Sequence, residues 1–396
     1  MNQAQSDGGY GWFVVLAAFL ANATGFGLLY SFTIFFPEIL NEFDQGQGAT
    51  SFIGSIAAAV MLGSGAVVGR FTDRFGPKLA VALGAFLLSS GLLISASATA
   101  IWHVYIAFGV VLGLGLALAF VPPVSAVSQW FTKRRGLATG IAVAGSGIGT
   151  VVIAPVSQYL IEEEGWRSAA RIIAVGGLVV LLVSASLVRG KSMGHRGGVA
   201  KAMFSDRIFR RLYMGTIFGS YGYWIPFIFI VPYAREHAFS PAFAAFLVSM
   251  MGAANTAGRI ILGAVADRFG RIRIFQIAVV TMGAATLLWP LARQSGGLIA
   301  FSIAYGFVAG TFIALLFAIT GDYFGVERLA GIVGLLNTAA AVGTLIGPPI
   351  TGAMFDSLGS YTLPILIAGA TWALSALFIL RLPEPSKTRE SPAVIS

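Results

Sequence analysis

Long apolar runs, each bounded by charged or turn-forming residues, alternate with short polar stretches along the whole chain. Twelve such runs are predicted to be helices, near 12–37, 50–70, 78–98, 101–127, 136–160, 168–188, 208–234, 242–266, 272–293, 297–321, 328–354 and 361–381. At a rise of about 1.5 Å per residue, about 20 residues cross a bilayer core of about 30 Å. Lipid offers the backbone no hydrogen-bond partner, so an apolar run of this length is satisfied only as a helix. The pattern predicts an all-α polytopic membrane protein. The first run follows eleven residues without a basic region and is too long for a secretion signal, so it is expected to stay as a span.

Composition agrees with the pattern. Of 396 residues, 57% are apolar and only 10% charged, against about 25% charged in a soluble domain. A soluble globe, a disordered chain and a nucleic-acid binder are excluded as first readings. With no cysteine, there is no disulfide, thiol nucleophile or thiolate metal site. The three histidines, His103, His195 and His237, are scattered over loops, and no catalytic triad or carboxylate pair is visible. Neither an enzyme, a metal site nor a cofactor is expected. The net charge of +9 is mostly an orientation signal. If the N-terminus is cytoplasmic, 20 of the 25 basic residues fall in cytoplasmic loops or the C-terminal tail, and only Arg167, Arg171, Arg235 and Arg293 fall on the opposite side. The positive-inside bias therefore puts both termini in the cytoplasm, in an inner or plasma membrane.

The chain repeats itself. A shift of 194 residues brings Gly69, Asp73, Arg74, Phe75 and Gly76 onto Gly263, Asp267, Arg268, Phe269 and Gly270. The same shift superposes Arg134, Gly140, Gly149, Thr150, Pro155 and Gly165 on Arg328, Gly334, Gly343, Thr344, Pro349 and Gly359. A six-span unit repeated in the same orientation is the arrangement of major-facilitator transporters. The expected organisation is an N-terminal half over 1–188, a basic cytoplasmic linker over 189–207 and a C-terminal half over 208–396. The repeated segments GRFTDRFGPK and GAVADRFGRIR resemble the major-facilitator cytoplasmic loop signature. In them Gly69 and Gly263 are expected to permit close helix approach, Asp73 and Asp267 to cap or pair near a helix end, and Arg74 and Arg268 to join them in a gate between the halves. Glycine clusters at 109, 113, 115 and at 145, 147, 149 read as seams for close helix crossings, not as a nucleotide loop, because no strand precedes them.

One charge is out of place. All 16 acids and 24 of the 25 basic residues lie in loops or at interfaces, whereas Arg259 lies eight residues before Asp267, about 12 Å into the membrane. An unpaired guanidinium at that depth costs from about 2.5 to more than 10 kcal/mol, so it is expected to face a wet cavity and meet an anion. No acid of the chain shares its depth, which leaves a substrate carboxylate as the natural counter-ion. The repeat mate of Arg259 is Gly65, so the duplication is broken at this position. Asn255, one helical turn away, is expected to support the same anion. Asn22, Phe26, Tyr30 and Thr33 in span one, and Ser220, Trp224, Ser302, Tyr305, Phe317, Thr320 and Asn337 in later spans, are the other candidates for a small pocket.

At the N-terminus, DGGYGW, Asp7 to Trp12, resembles the [D/E]-G-G-x-G-W signature of the monocarboxylate transporter family. A second family motif resembles WFTKRRGLATGIAVAGSGIG, Trp130 to Gly149. This likeness covers all twelve spans and implies a transporter of small monocarboxylates such as L-lactate or pyruvate, usually moved with a proton as coupling ion. It places the family's substrate arginine on Arg259 and its size-determining phenylalanine on Phe317, with Asp322 five residues on. Leu28, Tyr30 and Phe317 are then expected to shape the pocket. The family's animal members have an aspartate four residues before the arginine and a lysine in span one, where this chain has Asn255 and Tyr30. The proton is therefore expected either to accompany the substrate or to titrate Asp322 or Asp7. Exchange of organic anions, as in the similar oxalate and formate exchangers, is the alternative. The expected partners are a small organic anion and the bilayer, without nucleic acid, and one chain suffices for transport.

Overall fold

The computed structural model describes residues 9–131, 134–190, 203–325 and 329–385, and every predicted run is helical. The spans are α1 (Gly11–Glu42), α2 (Gln47–Gly63 continued by Gly65–Phe75), α3 (Pro77–Ser95), α4 (Ile101–Trp130), α5 (135–164), α6 (166–187), α7 (Arg207–Glu236), α8 (Pro241–Phe269), α9 (Arg271–Leu291), α10 (Ser295–Phe324), α11 (Leu329–Leu358) and α12 (Thr362–Ile379). Helix α5 runs into α6 with one break, at Gly165, whose φ of 75° and ψ of 159° suit a residue without a Cβ. Span α2 is longer than its apolar run and bends by 52° at Ser64, within a Gly-Ser-Gly triplet of poor helix formers. Span α4 contains a stretch of wider π turns over Tyr105–Leu112.

Large apolar side chains such as Phe86, Ile277, Leu288 and Leu377 are more than half exposed. In water they would form an aggregation-prone surface; facing lipid they are at home. Most of the linker expected over 189–207 lies outside the described residues. Span α7 opens immediately after it, where the Asp206 carboxylate accepts from the backbone N–H groups of Ile208 (2.7 Å) and Phe209 (3.0 Å).

The offset of 194 recurs in three dimensions. Gly76 and Gly270 both have positive φ (82° and 100°), as do Gly165 and Gly359 (75° and 64°). Gly149 lies so close to the Ala23 carbonyl of α1 that a Cβ has no room, and its mate Gly343 meets the Ile217 carbonyl of α7 in the same way. Thus α5 packs on α1 as α11 packs on α7. The glycine cluster of α5 has two faces: Gly145 and Gly149 abut α1, while Gly147, half a turn away, abuts Gly252 and Thr256 of α8. In α4, Gly109 and Gly113 press on α2, and Gly115 on α3.

The two sets of six spans meet along α2–α11, α5–α8 and α1–α7. Helices α1 and α7 begin, and α6 and α12 end, at one face, the terminus-bearing face. At the far face the sets are tied together. The Asp356 carboxylate at the end of α11 accepts from Gln47 N–H (2.7 Å) and Gly48 N–H (3.0 Å) at the start of α2, and Tyr361 donates to the Gln47 side-chain oxygen. Gly352 touches the Gln47 backbone, and Thr33 of α1 donates to the Ile228 carbonyl of α7 (2.8 Å). Along α5–α8 the contacts run from Ser249 and Val151 to Thr256 and Ala144. Nearer the terminus-bearing face, Gly136 and Gly140 of α5, Gly263 of α8 and Gly334 of α11 have open space where a Cβ would stand. The bundle is closed at the far face and parts toward the terminus-bearing face. Gly263 therefore does not make the close approach expected of it, because its stretch of α8 lies where the helices have separated; Gly69 is buried.

Candidate functional site

Helix α8 starts where Ser240 caps Phe243 N–H (3.2 Å) and Pro241 occupies the first turn. Its midpoint is held closely on two sides: Gly147 of α5 meets the Gly252 carbonyl and the Thr256 side chain, while Gly258 meets the Phe307 carbonyl and Gly310 the Asn255 carbonyl on the α10 side. Thr311 also donates to the Gly258 carbonyl (3.1 Å). The residue carried on this clamped segment is Arg259.

Arg259 is half-buried and makes no ion pair or hydrogen bond with any described residue, and its Nε is buried without a partner. Both polar side-chain atoms of Asn255, one turn away and 1% exposed, likewise have no partner among the described residues. Within electrostatic reach of the guanidinium are two phenols from different sets of spans, Tyr30 of α1 and Tyr223 of α7. Tyr30 stacks on Phe227 (centroids 4.5 Å apart) and contacts Trp224 at 5.6 Å and Phe26 at 5.8 Å. Tyr30 and Trp224 are themselves 194 residues apart, so the two repeats touch at matching positions. Phe36 against Phe229, then Phe229 against Tyr361, continue this aromatic layer toward the far face. Arg259 thus has an aromatic plug on one side and the parted helices on the other.

Of the expected pocket residues, Arg259, Asn255 and Tyr30 belong to this region. Leu28 is buried on α1, while Phe317 on α10 and Asn337 on α11 are half-buried. Thr33 and Thr320 are engaged by backbone carbonyls of Ile228 and Leu316. Asp322 is placed apart from this cluster, at the terminus-bearing end of α10, where it pairs with Arg271 at 3.0 Å. The sequence reading missed Tyr223, whose repeat mate is Leu29 and which no spacing rule singles out.

The loop signatures lie at the terminus-bearing face. Arg271 bonds both Asp267 (3.0 Å) and Asp322 (3.0 Å), tying α9 to α8 and α10 within one set of spans. Arg74 lies over Phe75 at 5.2 Å and Arg268 over Phe269 at 5.5 Å, a further match at the repeat offset. Asp73 is engaged with a neighbour, and Arg134 is exposed at the start of α5. Asp7 lies outside the described residues. The aromatic part of its motif has a structural explanation: Trp12 meets Phe131 at 5.1 Å, Tyr10 meets Trp130 at 5.7 Å, and a Cβ at Gly11 would press on the edge of the Phe131 ring. Tyr10 also donates to the Leu187 carbonyl (3.1 Å). The two sequence motifs are halves of one contact that fastens α1 to the ends of α4 and α6.

Comparison with known proteins agrees with this arrangement. The family described as Major Facilitator Superfamily matches residues 12–227 and 212–394. Bovine monocarboxylate transporter 13 is 31% identical over 384 residues, which cover 95% of this chain and 90% of that protein. Rat monocarboxylate transporter 3 is 32% identical over 394 residues, covering 94% and 80%. Among solved structures, a bacterial homologue of the human lysosomal transporter Spinster superposes with a TM-score of 0.76 at 15% identity, covering 94% of this chain and 97% of that one, which is a likeness of fold. The protein is a membrane transporter and not an enzyme, and the chain belongs to the monocarboxylate transporter family of the major facilitator superfamily.

Proposed function

We propose that the protein is a secondary active transporter of small monocarboxylates, of the L-lactate or pyruvate kind, working by alternating access with a proton as coupling ion. The observation that carries this reading is Arg259: a mid-span guanidinium with no anionic partner among the described residues. A carboxylate can accept two parallel hydrogen bonds from it and cancel its charge, which makes the loaded site neutral before it crosses the low-dielectric centre. A second carboxylate on the substrate would have no second cation at that depth, which favours mono- over dicarboxylates. Asn255, Tyr30, Leu28, Phe317 and Asn337 complete the pocket wall. The described pocket contains no acid to carry the proton, so it enters with the substrate.

The relatives named as monocarboxylate transporters support the substrate class. Lysine and arginine placement supports a cytoplasmic terminus-bearing face. On that orientation the contacts through Asp356 and Thr33 describe an inward-facing conformation. One chain contains the whole site, and no cofactor or accessory chain enters this scheme. The test is uptake of labelled lactate, pyruvate, acetate and oxalate into proteoliposomes, with and without an inward proton gradient. Lactate or pyruvate uptake driven by the gradient and abolished in Arg259→Ala is expected. Near wild-type uptake by Arg259→Ala, or uptake of oxalate alone in exchange for an internal anion, defeats the proposal.

A further inference from the structure

The phenols of Tyr30 and Tyr223 are 1% and 2% exposed and lie near enough to act on one another, yet among the described residues neither hydroxyl has a partner of hydrogen-bonding geometry. Both rings are locked. Tyr30 is stacked on Phe227, and Tyr223 is packed against Trp224 (5.5 Å), Phe227 (5.4 Å) and Phe312 (6.0 Å). The hydroxyls therefore cannot swing to water or to another partner. Tyr305 is the control inside the same cluster. Also fully buried, it donates to the backbone carbonyls of Tyr223 (2.9 Å) and Gly222 (3.3 Å), as buried phenols ordinarily do. Tyr305 thus pins the backbone of the very residue whose own hydroxyl is left unused.

A buried, unpartnered hydroxyl costs stability that phenylalanine would recover. Two of them, side by side and within electrostatic reach of Arg259, form a polar spot in an apolar wall. A carboxylate bound to the guanidinium carries its carbon 2 away from Arg259, and an oxygen on that carbon is the next polar atom of the ligand. A phenol can donate to a 2-oxo or 2-hydroxy oxygen and can accept from a 2-hydroxyl. An acid with only hydrogen at carbon 2 leaves both phenols as they are.

We infer that Tyr223 and Tyr30, one from each set of six spans, form a two-phenol clamp that reads the carbon-2 oxygen of a 2-hydroxy or 2-oxo monocarboxylate held by Arg259. This inference rests on the carboxylate site proposed above. It makes the pair specificity-determining, and it gives the substrate a part in joining α1 to α7.

The test is competition against labelled lactate in proteoliposomes by lactate, pyruvate, propionate and 3-hydroxypropionate. It is run on the wild type, Tyr223→Phe, Tyr30→Phe, the double variant and Arg259→Gln. Wild type is expected to prefer lactate to both propionate and 3-hydroxypropionate by tenfold or more, since a site built to bond a substrate hydroxyl rejects the analogue that lacks it. In Tyr223→Phe that ratio is expected to fall to within about threefold, and in the double variant toward one. A ratio of affinities does not depend on how much protein folds, so it is readable in a poorly expressed variant. Equal binding of lactate and propionate by wild type, or an unchanged ratio in all three phenylalanine variants, overturns the clamp while leaving the Arg259 site standing. Unaltered lactate binding in Arg259→Gln overturns the carboxylate site, and the clamp with it.

Discussion

The contact between Asp356 and the start of α2 is expected to set how much of the protein is closed at the far face. Its carboxylate accepts two backbone N–H bonds, at 2.7 and 3.0 Å, from the unsatisfied first turn of α2, across a sequence separation of more than 300 residues. Loss of a side chain that caps a helix N-terminus costs about 0.5–2 kcal/mol, and the positive end of the helix dipole adds to the attraction. Asp356 is exposed, so solvent screening limits the contact to the middle of that range, about 1–1.5 kcal/mol. Asp356→Ala should then raise the ratio of far-face-open to far-face-closed protein by roughly five- to twelvefold. Asp356→Asn keeps one acceptor and should show about half the free-energy effect.

The chain has no cysteine, so spin labels can be placed without first removing any. Labels at Asn41→Cys and Ser357→Cys, both exposed near the far ends of α1 and α11, report the opening as a distance by double electron–electron resonance. Wild type should give mainly the short distance, and Asp356→Ala a new longer component in roughly the stated proportion. An unchanged distance distribution in Asp356→Ala, with the protein folded, refutes the reasoning. The repeat mate of Asp356 is Glu162, which instead accepts from Gln158 of its own helix (2.9 Å). Glu162→Ala should therefore leave the distribution as it is.

Four further outcomes follow from the geometry. Gly147→Val should abolish transport and lower the melting temperature, because a Cβ at Gly147 collides with Thr256 and the Gly252 carbonyl; overpacking of this kind costs about 1–3 kcal/mol. Gly11→Leu should lower the melting temperature by loosening the Phe131 contact, whereas the same change at Gly263, which has open space around it, should be tolerated in a thermal-shift assay. Asp322→Asn removes a partly exposed ion pair with Arg271 that contributes about 0.2–1 kcal/mol, and it should leave uptake responsive to the proton gradient; loss of that response would move the coupling proton to Asp322. Tyr305→Phe frees two backbone carbonyls of α7 and should destabilise the protein by about 1–3 kcal/mol in detergent melting.

The span pattern, the offset of 194 and the isolation of Arg259 were legible in the chain because lipid makes them so. A bilayer forces uninterrupted helices, penalises each buried charge and biases basic loops to one side, and each of these constraints acts on residues close together in sequence. The break in α2 at Ser64 was legible only as a Gly-Ser-Gly triplet, and its 52° bend depends on what α2 packs against. The glycines show the limit most clearly. Gly147 and Gly263 look alike in the sequence, yet one is wedged between α5 and α8 and the other faces open space.

Tertiary structure alone decided which polar side chains are left without partners. Tyr223 and Tyr305 are both buried phenols in apolar spans, and nothing local distinguishes the one that holds a backbone carbonyl from the one with no partner of hydrogen-bonding geometry among the described residues. The distinction arises between helices whose residues are 80 or more positions apart. Asp356 likewise reads as an ordinary loop acid until α11 and α2 are brought end to end. The sequence by itself determined the membrane, the repeat and the lone cation. The surroundings of that cation, with Asn255 on its own helix and phenols from α1 and α7, were decided by packing between distant spans.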